Sequence, residues 1–264
     1  MTDSNRNDLE LMVAAAREAG ALAFQYFRKG ARNWNKPDDS IVTEADIAVD
    51  KLLIERLTTA RPDYGWLSEE HPDDGSRVGA ARTFIADPID GTRAFVDGGD
   101  EWVVSLGLVA GETPVAGVLF NPVRDEVWTA LAGEGAWCGA TRLTVSGAGD
   151  PKTARVVASR KALRQAGLAE ADVNVDRRFM KSLANRLAQV AAGAVDAALA
   201  TANSADWDLA AALLIVQEAG GRVTDYRGEP VRLNQHSIRH PAFVSAGPRL
   251  HGEILTAACG EMTV

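Results

Sequence analysis

The sequence is poor in cysteine and histidine. Its 264 residues include two cysteines, Cys138 and Cys259, and four histidines. The cysteines lie far apart and have no spacing typical of a metal-binding motif, so neither a disulfide framework nor a zinc site is expected. Reduced thiols are the expected state, as in an intracellular protein.

Basic residues and long apolar runs are also scarce. Lys and Arg number 28 against 36 Asp and Glu, which gives a formal net charge of −8. This balance argues against a nucleic acid polymer or an anionic membrane as partner, because both attract a basic surface. The opening MTDSNRND lacks the pattern of a signal peptide, and no stretch approaches the length of a membrane span. The sequence therefore predicts a cytoplasmic protein.

The order of predicted elements changes near residue 150. Helical spacing predicts a helix over 9–27, and Thr43 with Asp46 predicts the capped start of a second helix that ends near Ala60. Short β-rich segments with regular Gly and Pro follow, as in an antiparallel sheet. After residue 150 strands alternate with helices, one of them over 181–192. We expect two lobes, 1–150 and 151–264, in one packed unit.

Acidic residues occur where strands end and helices begin. Asp46 and Asp208 open predicted helices, Glu69 and Glu70 end a strand, and Asp87 and Asp90 lie in the motif DPIDGT; these acids are all in the printed sequence. Taken singly, each is also explained as a helix-start acid, a solvated strand end or a turn residue. Together they predict a Mg²⁺ site, since Mg²⁺ prefers oxygen ligands whereas zinc and copper favour His and Cys.

The motif DPIDGT favours phosphate chemistry. Pro88 fixes the backbone so that Asp87, the Ile89 carbonyl and Asp90 can face one point. Gly91 permits close backbone approach, and the amides of Gly91 and the following Thr can bind a phosphate. Phosphatases that use an aspartate nucleophile would need it at position 88, so Pro88 excludes a phosphoaspartate mechanism on this segment.

These motifs resemble those of the inositol monophosphatase superfamily, a group of Mg²⁺-dependent, lithium-sensitive phosphomonoesterases. Four motifs stand in the family order, KPDDSIVTEAD (36–46), SEE (68–70), DPIDGT (87–92) and WDLAAALLIVQEAGG (207–221). The resemblance covers nearly the whole chain. It implies the family's layered αβαβα sandwich, of mixed α+β and α/β character, with most metal ligands in the first lobe and Asp208 in the second. Members are commonly homodimers.

The resemblance also implies the metal ligands. Glu69, Asp87 and the Ile89 carbonyl would hold one Mg²⁺, and Asp87, Asp90 and Asp208 a second. A third, weaker Mg²⁺ would bind near Glu69 through water, so the expected cofactor is two or three Mg²⁺ ions.

Catalytic roles follow from the same resemblance. Thr92, polarised by Asp46, and Glu69 are expected to orient and deprotonate the attacking water, with Glu70 as an outer partner. The amides of Gly91 and Thr92 would bind the phosphate. No covalent intermediate is expected, because no Cys, His or Ser is placed to form one.

The substrate is a small phosphate ester whose identity the motifs leave open. Thr201 stands where inositol-phosphate enzymes carry a glutamate, and the first motif and Arg93 are similar to the 3'(2'),5'-bisphosphate nucleotidases. Adenosine 3',5'-bisphosphate is therefore the leading candidate. Inositol monophosphate and histidinol phosphate are alternatives, and histidinol-phosphate phosphatases share DPIDGTRAF. A non-catalytic metal-binding regulatory module is the alternative of another class.

Side chains that would contact the substrate are predicted around the metal site. A second phosphate favours fixed cations, because Arg and Lys bind phosphate oxygens. The expected substrate contacts are Asp90, Gly91, Thr92, Arg93, Arg160, Lys161, Lys181 and Asp208. Trp137 and Tyr226 either stack on an adenine or pack in the core.

Overall fold

The computed structural model describes residues 2–37, 39–176 and 181–261. The helices are α1 (Thr2–Lys29), α2 (Glu44–Ala60), α3 (Thr92–Val96), α4 (Arg160–Gln165), α5 (Leu183–Ala191), α6 (Asp206–Glu218) and α7 (Pro248–Glu261). The strands are β1 (Asn33–Asn35), β2 (Ile41–Thr43), β3 (Gly65–Ser68), β4 (Arg82–Asp90), β5 (Val103–Ala110), β6 (Thr113–Asn121), β7 (Glu126–Leu131), β8 (Gly135–Cys138), β9 (Thr141–Arg142), β10 (Arg155–Val157), β11 (Asn174–Asp176), β12 (Ala197–Ala200), β13 (Arg222–Asp225) and β14 (Phe243–Ala246). Among these residues no helix is both long enough and apolar enough to cross a bilayer.

Two main sheets organise the molecule. The first has seven strands in the order β3-β4-β5-β6-β7-β8-β9, and only its β3/β4 pair is parallel. The second is a mixed sheet of five strands in the order β11-β10-β12-β14-β13. All strands of the first sheet precede residue 150 and all strands of the second follow it.

Helices fill the three layers around the two sheets. α1 and α2 cover one face of the seven-stranded sheet through a cluster of buried apolar residues. α5 and α6 lie between the two sheets and share a second cluster with both. α4 and α7 cover the outer face of the five-stranded sheet. The order is helix, sheet, helix, sheet, helix, which confirms the predicted αβαβα sandwich.

Helix α6 lies unusually close to the first sheet. A Cβ added at Gly107 of β5 would lie 2.5 Å from the Cβ of Ala210, and one added at Gly117 of β6 would lie 2.8 Å from the Ala211 carbonyl oxygen. Only glycine on the sheet and small residues on the helix allow this approach. This close packing places the first turn of α6 near the end of β4.

Local signals predicted the elements well, with three differences. α1 is longer than the predicted 9–27, and an antiparallel β1–β2 hairpin that was not predicted lies between α1 and α2. The helix predicted over 181–192 begins at Leu183, because Ser182 caps it by accepting a hydrogen bond from the Asn185 amide at 2.9 Å. The capped start of α2 is confirmed, since Thr43 and Asp46 form a reciprocal capping box.

Candidate active site

Three carboxylates from two distant parts of the chain meet between the sheets. Asp87 and Asp90 lie at the end of β4, where the pairing with β5 shifts register between them. Asp208 lies in the first turn of α6. One carboxylate oxygen from each residue lies within 4.8 Å of those from the other two. These are spacings at which oxygens can share a bound cation.

The three carboxylates are in an unfavourable electrostatic environment. Burial raises the pKa of Asp87 well above its ordinary value, and the charges of Glu69, Asp90 and Asp208 raise it further. Burial, followed by the charge of Asp90, raises the pKa of Asp208 to about 8. Both causes disfavour the ionised forms, and a divalent cation would oppose both. The oxygen-only donor set and its repulsion therefore fit a hard metal ion.

Asp90 is held by the amino-terminal end of α5. Its Oδ2 accepts hydrogen bonds from the Ser182 hydroxyl and, at 2.6 Å, from the Ala184 amide, while its Oδ1 lies 3.3 Å from the Leu183 amide. These donors lower the pKa of Asp90, but burial is the larger effect and raises it to about 6. The helix end thus fixes the orientation of this carboxylate.

The turn after β4 requires glycine. Gly91 has a left-handed φ of 99°. An added Cβ would lie 2.9 Å from the Glu101 carbonyl oxygen and 3.0 Å from the Ser182 Cβ. The short helix α3 that follows is anchored by Phe95, whose ring lies 4.9 Å from that of Trp102. The backbone at positions 91 and 92 is therefore presented to the acid cluster on a rigid support.

Asp46 links the starts of α2 and α3. Its Oδ2 accepts hydrogen bonds from the Thr43 amide at 2.8 Å and from the Thr43 hydroxyl at 2.5 Å. Its Oδ1 lies 3.3 Å from the Thr92 hydroxyl, which also lies 3.1 Å from the Ile89 carbonyl oxygen. Burial raises the pKa of Asp46 to about 6 despite these hydrogen bonds. The structure therefore brings Asp46, Thr92 and the Ile89 carbonyl together.

Glu69 and Glu70 are paired with a lysine from the loop between β1 and β2. Lys36 Nζ lies 3.0 Å from Glu69 Oε1 and 2.6 Å from Glu70 Oε1. Glu69 is close enough to the cluster for its charge to raise the pKa values of Asp87, Asp90 and Asp208. Burial raises the pKa of Glu70 to about 7. Glu69 thus lies beside the three aspartates but is bound to Lys36.

The basic side chains that were predicted to contact the substrate lie in different parts of the structure. Arg93 is exposed next to Thr92. Lys181 pairs with Asp97 and directly precedes Ser182, the partner of Asp90.

The remaining candidates lie on other elements. Arg160 is exposed and pairs with Glu170 at 2.8 Å, and Lys161 is exposed beside it on α4. Trp137 lies on β8 with the guanidinium of Arg142 5.9 Å from its ring centre, and Tyr226 packs in the outer apolar cluster of the second sheet.

Two residues that hold the site together have no sequence signal that reveals their contacts. Ser182 carries the signal of a helix cap, but nothing local reveals its contact with Asp90. His240 lies in an irregular segment and gave no indication of its 2.7 Å hydrogen bond to the buried Asp206, the first residue of α6. Both contacts join residues that are far apart in the chain.

Comparisons with known proteins agree with this geometry. The profile of the Inositol monophosphatase family matches residues 4–262. An inositol-1-monophosphatase of Mesorhizobium japonicum is 35% identical over 87% of this chain and 90% of its own. A histidinol-phosphatase of Chlorobaculum parvum is 32% identical over 96% of this chain and 97% of its own.

A solved structure extends the likeness to the fold. The IMPase of Thermotoga maritima superposes with a TM-score of 0.84 at 26% identity, covering 97% of this chain and 98% of that one. The family profile spans the segments that supply Asp87, Asp90 and Asp208. This chain belongs to the inositol monophosphatase family of metal-dependent phosphomonoesterases.

Proposed function

We propose that this protein is a Mg²⁺-dependent phosphatase of a small phosphorylated metabolite. The observation that carries the proposal is the convergence of Asp87, Asp90 and Asp208, whose oxygens lie within 4.8 Å of one another. Asp87, Asp90 and Asp208 would hold one Mg²⁺, and Asp87 with Glu69 and the Ile89 carbonyl another. Bound there, the cations supply Lewis acidity that polarises the phosphoryl group and makes water a stronger acid.

Thr92, Asp46 and Glu69 would prepare the attacking water. When the Thr92 hydroxyl donates its proton to Asp46 Oδ1, 3.3 Å away, its oxygen is left as an acceptor for a proton of that water. Glu69, a half-buried carboxylate whose charge acts on the three aspartates, would orient the water and take up its proton. The water would then attack phosphorus directly, without an enzyme-bound phosphoryl group. The ester P–O bond breaks as the new bond forms, and the leaving alkoxide takes up a proton to become the alcohol.

The turn at Gly91 would bind the phosphate. Its left-handed φ of 99° starts α3 at Thr92, so consecutive amides lie at a helix start next to Asp90. Amides in this position attract anions. The support for this role is the steric need for glycine at position 91.

Adenosine 3',5'-bisphosphate is the substrate that we propose within the family. The support is the form of the first motif, the threonine at position 201, and Arg93 and Lys181 on the segments next to Thr92 and Ser182. A second phosphate on the substrate would add negative charge that such cations can bind. Arg160 is the weaker candidate, because it lies on α4, which covers the outer face of the second sheet.

Two other esters have specific support. Inositol 1-phosphate is favoured by the name of the Mesorhizobium relative, and histidinol phosphate by that of the Chlorobaculum relative. The test is phosphate release from the three esters at equal concentration with Mg²⁺. We expect the nucleotide to have the highest kcat/KM. A last place for the nucleotide contradicts the substrate proposal, and no release from any ester favours a non-catalytic module.

Substitution of Lys181 tests the second-phosphate argument. Lys181→Ala is expected to lower kcat/KM for the bisphosphate by about tenfold, the scale of one charge-assisted hydrogen bond, and to affect a monophosphate less. Lys51→Ala, an exposed lysine on α2, is the matched control. Arg160→Ala is expected to change less than Lys181→Ala. Equal losses of kcat/KM for the bisphosphate and the monophosphate would contradict a contact between Lys181 and the second phosphate.

A further inference from the structure

The start of α6 is hydrogen-bonded to an irregular segment in the second half of the chain. This segment, residues 233–240, is here called the strap. Its residues 238–240 run antiparallel to residues 203–206. His240 N donates to the Ser204 carbonyl at 2.9 Å, and the Asp206 amide donates to the Ile238 carbonyl at 3.0 Å. Ala205 forms an antiparallel bridge with Arg239. The strap therefore pairs with the residues that directly precede Asp208.

The side chain of Asp206 adds two further hydrogen bonds between the strap and α6. The residue is fully buried, at 0% exposure. Its Oδ1 lies 2.7 Å from His240 Nε2, and its Oδ2 accepts a hydrogen bond of 2.7 Å from the Asn234 amide. A buried carboxylate is costly unless it is hydrogen-bonded, and here both of these partners come from the strap. The first residue of α6 is thus fixed at both carboxylate oxygens.

The strap is attached in turn to the first sheet. The Asn234 side chain donates to the Gly111 carbonyl at 3.1 Å and lies 3.3 Å from the Thr83 hydroxyl. Its Oδ1 accepts a hydrogen bond of 2.8 Å from the guanidinium of Arg77, which is 1% exposed. Arg77 also pairs with Asp73 at 2.9 Å. Thr83 is on β4, the strand that ends in Asp87 and Asp90.

A continuous set of hydrogen bonds therefore connects the strand of two cluster acids with the helix of the third. The acids repel one another, and burial and mutual charge raise the pKa values of Asp87 and Asp208. We propose that Asp206, Asn234 and His240 are positioning residues that hold Asp208 against this repulsion in reach of Asp87 and Asp90. The inference rests on the proposed function, because it concerns the affinity of the metal site.

Replacement of His240 is the direct test. In His240→Ala the full chain is expected to bind at least one Mg²⁺ about 10–100-fold more weakly in isothermal titration calorimetry without substrate, the range for residues that orient metal ligands. The Mg²⁺ concentration for half-maximal phosphate release should rise equally, and excess Mg²⁺ should restore most of kcat. His236→Ala, an exposed histidine of the same strap, is the matched control and should stay within about twofold of wild type.

A second pair of variants guards against a folding defect. Asn234 has a left-handed φ of 58°, so Asn234→Gly keeps this backbone and the amide that binds Asp206, and removes the link to Arg77, Thr83 and Gly111. We expect weaker Mg²⁺ binding with an unchanged circular dichroism spectrum. His240→Gln, whose amide can still donate to Asp206, should recover part of the affinity. If His240→Ala does not fold, these two variants decide.

The outcomes separate the two proposals. Unchanged Mg²⁺ affinity in the folded strap variants overturns the inference, and so does a loss of activity that saturating Mg²⁺ leaves unrestored. If wild-type protein neither binds Mg²⁺ nor releases phosphate, the proposed function itself fails. Weaker binding that excess Mg²⁺ overcomes, with His236→Ala unaffected, supports both.

Discussion

At the scale of single residues, Asp90 belongs to the acid cluster and is also hydrogen-bonded to the start of α5. It lies beside Asp87 and Asp208 while three donors at the start of α5 contact its carboxylate. The donors keep the carboxylate oriented, and its charge is what a cation would bind. A neutral amide of the same shape removes the charge. Because its NH₂ group cannot accept a hydrogen bond, it also loses some of the contacts with these donors.

Asp90→Asn is therefore expected to abolish turnover. Loss of one negative charge from the proposed second metal site should lower kcat by at least about a hundredfold, since metal-ion stabilisation of a transition state amounts to several kcal/mol. The measurement is steady-state phosphate release at saturating Mg²⁺. Asp63→Asn, an exposed aspartate in the loop between α2 and β3, is the control and should behave as wild type. Near-normal rates in Asp90→Asn would contradict the assigned role.

The pKa of Asp208 predicts how the metal-free protein responds to pH. Burial and the charge of Asp90 raise that pKa to about 8, above its ordinary value near 4. The folded state thus binds the Asp208 proton more tightly than the unfolded state does. The resulting contribution to the free energy of unfolding is fully present below about pH 4 and is lost as pH rises towards 8. With chelator present, wild-type stability should fall between about pH 5 and about pH 8 relative to Asp208→Asn.

The difference in stability between wild type and Asp208→Asn isolates the contribution of Asp208, because other groups also titrate in this range. Asp46 and Glu70, with pKa values raised to about 6 and about 7, act in the same direction. His251, whose pKa burial lowers, acts in the opposite direction below about pH 6.5. We expect Asp208→Asn to raise the Tm at pH 8 by at least about 2 °C in calorimetry, with a smaller gain near pH 5. A variant less stable than wild type at pH 8 would contradict the electrostatic explanation.

At the scale of elements, the fit of α6 against the first sheet decides where Asp208 lies. The helix backbone approaches the two sheet glycines so closely that an added Cβ at Gly117 would lie 3.1 Å from the Ala211 Cα. Two backbones are in contact, so neither can give way by a change of rotamer. Any atom inserted there must move the helix or strain the sheet.

Gly117→Ala is predicted to destabilise the protein by about 1–3 kcal/mol, the usual cost of overpacking a core. The same shift of α6 should weaken Mg²⁺ binding. Urea unfolding monitored by fluorescence measures the first effect and calorimetric titration the second. Gly147→Ala is the matched control, since nothing lies within 4 Å of an added Cβ at that exposed position. A Gly117→Ala variant as stable as wild type would show that the helix has room to move.

Local chemistry explains which elements the sequence could predict. The Thr43–Asp46 capping box and the turn at Gly91 depend on neighbours in the chain, and both are present in the structure. The family resemblance supplied the layered fold. The contact of Asp90 with α5 and that of Asp206 with His240 join distant segments. Their residues have no local periodicity or cap that names the partner, so the sequence alone did not predict them.

At the scale of the whole molecule, the cluster joins the two halves of the chain. Asp87 and Asp90 belong to the seven-stranded sheet, whereas Asp208 follows residue 150 and lies on α6 between the sheets. A cation held by all three acids would bind the folded state and not the unfolded chain, whose acids are far apart. Mg²⁺ should therefore stabilise the entire fold.

Thermal unfolding with increasing Mg²⁺ tests this coupling. At a Mg²⁺ concentration a hundred times its Kd, each bound ion should stabilise the protein by about 2.7 kcal/mol, and Tm should rise accordingly. NaCl at equal ionic strength is the control, because screening alone also relieves repulsion between the acids. The rise should be smaller in Asp90→Asn. Equal shifts with NaCl and Mg²⁺ would argue against specific binding.

The separation of the three acids along the chain also has a consequence for biosynthesis. A nascent polypeptide that has emerged only as far as the first sheet carries Asp87 and Asp90 without Asp208, Ser182 or the amide donors of α5. The proposed ion-binding centre is therefore complete only after translation of residue 208, in the last third of the chain, and a product that terminates earlier lacks it.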